Sequence, residues 1–238
     1  MKFGIAIRNM GPQSTAAAIR ACALAAEQIG FDALFVSDHL CIPPGQTEGS
    51  GGRYLDVLAT LAFIAGATQR IRLGISVLVL PYRPAVFTAK LLATIQELSA
   101  ERMILGVGSG WMREEFDALG VDFKKRGAIA TETLRVIRHL FANEAEPYRG
   151  ELISFPAFVF KPRPVARVKR EAAARGKTAL EIVARSGFPI DDTARARERL
   201  AQYAHAGVTY VIVDLGRYAD CAQFIREAEK FMAEIVPA

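Results

Sequence analysis

Short, nearly continuous apolar runs alternate along the chain with longer stretches in which apolar positions recur at helical spacing. Lys2–Ile7 reads as a first strand. Ser14 can then cap a helix running through Ala16, Ile19, Ala23, Ala26 and Ile29 to Gly30. The same alternation predicts a strand at Ala33–Ser37, a helix at Leu55–Ala67 and a long buried strand, IRLGISVLVLP, over 71–81. Pro84 opens a helix over Ala85–Ser99, RMILGVGSG (102–110) is strand plus turn, and a further helix covers Thr131–Phe141.

The second half is less regular. GELISFPAFVFKPRP (150–164) predicts a short hairpin, Arg167–Arg175 an amphipathic stretch and Leu180–Ala184 a strand. A capped helix follows over Asp191–Ala206, ending at Gly207, then the strand YVIVDL (210–215) and a helix over Cys221–Ile235. Strands this apolar, alternating with helices, build a parallel sheet covered on both faces. The candidates are a (β/α) barrel or a doubly wound sheet, and both place their chemistry at the carboxyl ends of the strands. About six barrel-type strands are legible where a closed barrel has about eight. No internal repeat or low-complexity segment interrupts the pattern, so 1–238 is read as a single domain.

Composition narrows this little. The 238 residues are 51% hydrophobic and 23% charged, enough for a sizeable core. No run of about 18 uncharged apolar residues predicts a membrane span. MKFGIAIRNMG meets Arg8 too early for a secretory leader. Cys22, Cys41 and Cys221 lie far apart without metal or redox spacing, which suggests packed thiols in a reducing cytoplasm. The net charge of +5 is dispersed except in KPRPVARVKR (161–170). No nucleic-acid partner is expected from so sparse a patch, while an anionic small molecule remains compatible. No zinc spacing and no GxSxG elbow occur.

LFVSDHL (34–40) is the first stretch with chemical promise, because an apolar strand ends in Ser37, Asp38 and His39. Such a pair is either a solvated strand end or a pocket group able to carry a proton near neutral pH. CIPPGQTEGSGG (41–52) behind it is a flexible loop at the same end. GVGSGW (106–111) is either a tight strand-to-helix turn or a backbone cradle for a ligand; it matches neither a dinucleotide fingerprint nor a P-loop. Glu114 and Glu115 sit where acids complement a helix dipole, and His139 and His205 read as structural.

Taken together, FVSDHL, LGISVLVLPYRPAVFTAK and SAERMILGVGSGWMREEFDALGV resemble the bacterial luciferase-like superfamily, most of all its oxidoreductases that use the deazaflavin coenzyme F420. The resemblance covers roughly residues 1–165, and TYVIVDL with its helix fits the family's last unit. It implies an α/β fold, a (β/α)8 TIM barrel, with the cofactor ring at its C-terminal mouth. It also implies a cytoplasmic homodimer that moves hydride between coenzyme F420 and a small organic substrate. FMN-dependent monooxygenation and a degenerate, non-catalytic flavin-binding homologue are the alternatives.

Residue by residue, Asp38 and His39 match the pair beside the reactive ring, with His39 as acid/base and Asp38 orienting it. Ser76 and Val77 match a non-prolyl cis peptide behind the ring. Gly108, Ser109 and Gly110 match the turn along the cofactor, with Glu114 near it; no metal is implied. The chain departs from the family in three places. Trp111 stands where the sugar-phosphate dehydrogenases carry a catalytic glutamate, and CIPPG lacks an expected aromatic, so sugar phosphate is not assigned as substrate. KPRPV also runs directly into ARVKREAAARGK, so one strand–helix–strand unit, with the Gly-Gly loop of the phosphate cradle, is missing near residue 165. The Val165–Ala166 seam is either a true deletion or the site of an omitted stretch.

Overall fold

A computed structural model describes residues 1–47, 49–143, 145–164 and 183–236. Strands β1 (Lys2–Ala6), β2 (Ala33–Val36), β3 (Arg72–Val79) and β4 (Met103–Gly108) form one parallel sheet with β7 (Val183–Gly187) and β8 (Tyr210–Asp214). The spatial order β4-β3-β2-β1-β8-β7 follows the chain around a curl and leaves β4 and β7 at the ends of a half-barrel. β5 (Tyr148–Arg149) and β6 (Ser154–Phe155) pair separately as the expected hairpin.

The strands alternate strictly between two environments, as a pleat requires. Ile5, Leu34, Leu73, Ile75, Val211 and Val213 face the helices in the main core. Ala6, Ala33, Phe35, Tyr210 and Ile212 form a smaller cluster on the concave face. There the Phe35 ring lies against Gly4 and Gly74 on the flanking strands; a Cβ at either glycine would collide with it. Tyr210 meets the same ring edge-on, with centroids 6.1 Å apart.

Helices α1 (Ala16–Ile29), α2 (Val57–Ala67), α3 (Ala85–Leu98), α4 (Arg113–Leu119) and α5 (Arg126–Ala142) follow the first strands, and α6 (Thr193–His205) and α7 (Cys221–Lys230) the last. None of the described helices is long and apolar enough to cross a membrane. Several boundaries differ from the sequence expectation. Thr15, not Ser14, caps α1, accepting from Ala18 N at 3.2 Å. Ser14 is buried instead, donating to Gly11 O and accepting from Arg53 Nε. Of the strand expected at Leu180–Ala184, Val183 and Ala184 lie in β7, which continues through the polar Arg185 and Ser186 on its backbone ladder with β8; 180–182 lie outside the described residues. α5 begins at Arg126, directly after a turn capped by Asp122. α7 relaxes into a π-helical turn, Phe231–Ile235. The Arg167–Arg175 stretch and the Val165–Ala166 seam lie outside the described residues.

At the amino-terminal end of the sheet, Arg102 is buried and spends its guanidinium on α2 and its surroundings. Its Nη2 donates to Ala65 O and Thr68 O, Nη1 to Thr68 Oγ1 and Ile71 O, and Nε to Ser99 O. These carbonyls include the unpaired C-terminal ones of α2, which need donors when buried. A lysine has one nitrogen to offer where the guanidinium has three. Arg102→Lys is therefore expected to destabilise the fold by about 2–4 kcal/mol, read as a lower urea midpoint at unchanged slope. An unchanged midpoint would mean that solvent, not Arg102, satisfies these carbonyls.

Candidate active site

β2 delivers Ser37, Asp38 and His39 to the carboxyl-terminal mouth, as expected of a strand that turns polar at its end. The two side chains diverge there. Asp38 is buried, and its carboxylate receives Arg83 in a two-pronged pair, Nη1 to Oδ2 at 2.7 Å and Nη2 to Oδ1 at 2.8 Å. Val79 N adds a third bond at 2.9 Å. Arg83 also reaches Asp56 Oδ2 at 2.8 Å, while Asp56 Oδ1 caps α2 through Leu58 N and Ala59 N. Burial pushes the Asp56 carboxyl up, but these amides and Arg83 outweigh it and hold it below the usual carboxylate range. Burial likewise opposes the charge on Arg83, and the flanking carboxylates more than restore it.

Asp38 therefore anchors the mouth, and none of these bonds holds the His39 ring. That role falls to Glu115, which is fully buried at the start of α4. His39 Nδ1 lies 2.9 Å from Glu115 Oε2, and the Tyr82 hydroxyl donates to the same oxygen at 2.6 Å. Oε1 takes the backbone N–H groups of Leu40 at 2.6 Å and Cys41 at 3.2 Å. Burial alone would raise the Glu115 pKa, but the bonds from His39, Tyr82 and Leu40 bring it below its ordinary value. An ionised carboxylate only accepts, so Nδ1 must carry the proton. Among the described residues no hydrogen bond engages Nε2. Tyr54 and Trp111 flank the ring at 5.0 and 6.0 Å between centroids.

The other expected positions gather at the same mouth. The Ser76–Val77 peptide is cis, and the β3–β4 register shifts there as a bulge. Val77 stays 42% exposed, an apolar face open to the mouth. Gly108 passes so close that a Cβ would stand 2.7 Å from Val77 Cγ2, and Gly110 turns with φ +80° against Val79 and Phe116. Ser109 sits between them, partly buried. Glu114 is set apart: it is exposed and touches Gln46 Nε2 at 3.4 Å. The two adjacent glutamates thus have opposite surroundings, Glu114 exposed and Glu115 buried.

Arg185, also unforeseen, reaches from β7 across the concave face. It donates to Ser76 O at 2.8 Å and Ser37 Oγ at 3.2 Å while paired with Asp214 at 2.9 Å. Beside it opens a hollow of about 400 Å³ lined by Phe35, Ser76, Val77, Gly106, Arg185 and Tyr210. No group of His, Cys, Asp and Glu among the described residues is arranged to hold a metal.

A curled parallel sheet that carries a carboxylate–imidazole pair, a bulge and a glycine turn to one mouth defines an α/β protein of the barrel type. The family model for luciferase-like monooxygenases matches residues 1–229, and the chain belongs to that family. It is similar to the F420-dependent glucose-6-phosphate dehydrogenase of Amycolatopsis mediterranei, at 34% identity over 170 residues, covering 69% of this chain and 50% of that protein. A 5,10-methylenetetrahydromethanopterin reductase of Methanolobus tindarius is 29% identical over 97% of this chain and 68% of its own length. The chain thus spans about half the length of the curated dehydrogenase it matches. In fold it is similar to the monooxygenase RslO1 from Streptomyces bottropensis, with TM-score 0.76 at 17% identity over 99% of this chain and 98% of that one. An F420-dependent secondary alcohol dehydrogenase in complex with an F420-acetone adduct gives 0.75 at 13% identity over 99% of each chain.

Because the Glu115 pKa is depressed in the fold, its contribution to stability is present above the unfolded value of about 4.3. It is lost as pH falls through the lower folded value. Asp56 and Glu27 are shifted in the same direction and add to the same acid limb. Glu115→Gln is expected to lower stability at pH 7 by about 1–3 kcal/mol, since an amide NH2 must face donors. It should also flatten the fall in urea midpoint below about pH 4.3. An identical acid limb in the variant would show that folding does not depress the Glu115 pKa.

Proposed function

We propose that this chain is an oxidoreductase that moves hydride between coenzyme F420 and a small organic substrate, with His39 as its acid/base. The observation that carries this reading is His39 held through Nδ1 by the buried Glu115 carboxylate at the strand-end mouth, with Nε2 unengaged among the described residues. Similarity to F420-dependent glucose-6-phosphate dehydrogenases supports the choice of coenzyme F420 over FMN.

The residues present suit the ring of such a cofactor. Exposed Val77 and the concave hollow offer an apolar seat, and Gly106 and Gly108 let β4 pass close against Ile75 and Val77 of β3 beside it. Ser76, Val77, Gly108, Ser109 and Gly110 would hold it, with Asp38 supporting that wall from behind through Val79 N and Arg83, and Glu114 would stand at the rim. When bound, the deazaflavin supplies a carbon that takes or gives hydride. The chain supplies the proton. Nε2 of neutral His39 accepts it from a substrate hydroxyl as hydride departs, and returns it in the reverse direction. Glu115 stabilises the imidazolium so formed, and the Tyr82 and Leu40 bonds keep that carboxylate in place.

We read the half-barrel as a (β/α)8 barrel short of one strand–helix–strand unit. The order of the sheet supports this, since the unit would fall between the end strands β4 and β7. That opening also favours a second reading, a degenerate homologue that binds a flavin without turnover. A cytoplasmic homodimer through the early helices fits Phe63 on α2 and Phe87 on α3, which are 42% and 57% exposed.

Trp111 is the single tryptophan and lies against His39, so its fluorescence reports the site. Saturable quenching by coenzyme F420 and none by FMN is expected. Turnover is followed as deazaflavin absorbance over a panel of small alcohols. His39→Ala should slow it about 10²–10⁴-fold while the cofactor Kd changes much less. Saturable FMN binding without a deazaflavin response overturns the cofactor. A near-normal rate in the variant removes His39, and binding without turnover in the wild-type protein selects the degenerate reading.

A further inference from the structure

Cysteines that sequence spacing kept apart are brought together by the fold. Cys22 lies on α1, which follows the first strand, and Cys221 is the first residue of α7, which follows the last. Since β1 and β8 are neighbours in the sheet, their helices pack side by side, and the two sulfurs stand 3.1 Å apart across 199 residues of chain. Both are free thiols. A disulfide bond is about 2.05 Å long, so joining them needs the sulfurs to close by about 1 Å.

We propose that Cys22 and Cys221 are a reversible disulfide site that staples α1 to α7, formed by exchange with a small-molecule disulfide such as oxidised glutathione. The two thiols differ as such a pair should. Cys221 is partly exposed and is the one an oxidant reaches; Cys22 is 1% exposed and can meet only its neighbour. In the first step the Cys221 thiolate attacks the small disulfide, forming a mixed disulfide and releasing one thiolate. In the second, the Cys22 sulfur attacks the Cys221 sulfur and displaces the second small thiol, which takes the Cys22 proton. Two protein thiols are oxidised and one small disulfide is reduced to two thiols. Burial first, and Cys221 next, push the Cys22 thiol far above its usual range, so the second step should quicken as pH rises.

The site adjoins the mouth through Tyr218. Three residues before Cys221, its buried hydroxyl accepts the Arg8 N–H at 3.0 Å, just beyond β1. The staple closes the seam between the first and last units of the sheet. Bridging so long a segment restricts the unfolded chain strongly.

The full chain, incubated with oxidised glutathione and then denatured for titration, is expected to drop from three thiols to one, or to none where Cys41 also takes a glutathione. A tryptic digest should contain the peptides of Cys22 and Cys221 cross-linked. Tm should rise on the order of 5–15 °C and return on adding dithiothreitol. Cys221→Ser should abolish both the cross-link and the Tm rise, as should Cys22→Ser if that core variant folds. Three persistent thiols, a Cys221–glutathione adduct that never resolves, or cross-links through Cys41 alone would overturn the proposal.

Discussion

An ionised carboxylate buried without partners would cost several kcal/mol, and the mouth of this protein is organised around removing that cost for Glu115. Its oxygens collect Leu40 N, Cys41 N, the Tyr82 hydroxyl and His39 Nδ1. Those donors come from the loop after β2 and the turn after β3, while Glu115 itself begins α4 after β4. One side chain therefore ties three consecutive strand ends together. The same bonds that make its burial tolerable fix the orientation and protonation of the imidazole, so the stability of the mouth and its proposed chemistry share one cause.

A second carboxylate network stands behind the first. Asp38, Arg83 and Asp56 join the end of β2, the start of α3 and the cap of α2. Its guanidinium is 9% exposed, so removing either acid would leave a largely buried charge partly paired. Arg185 adds a third link, from β7 to the carbonyl of Ser76 across the curl of the sheet. These links leave the apolar bulge at Val77 as the open part of the mouth. The shape of the site thus depends on polar bonds, although the strands that carry it are held by apolar packing.

The strands were legible because each is a nearly unbroken apolar run, and FVSDHL marked the mouth because polarity begins there abruptly. β7 is the exception: its described residues, VARSG, are no such run, and backbone pairing with β8, which composition does not encode, sets their place. Glu114 and Glu115 look alike in sequence, and only the direction in which α4 leaves β4 decides which is buried. Arg83 and Arg185 were missed for a related reason. Their partners lie far along the chain, and an arginine carries no local sign of which distant groups it will meet. The Cys22–Cys221 contact, across 199 residues, is of the same kind.

The central claim is that Glu115 holds His39 with its proton on Nδ1 and leaves Nε2 free to exchange one. Nitrogen-15 NMR of the imidazole in the full chain, recorded at a pH where His39 is neutral, tests this directly because the two tautomers have well-separated ring shifts. The geometry predicts an Nδ1–H tautomer, with Nε2 showing the shift of an unprotonated nitrogen. A proton resident on Nε2 in the wild-type protein would contradict the account.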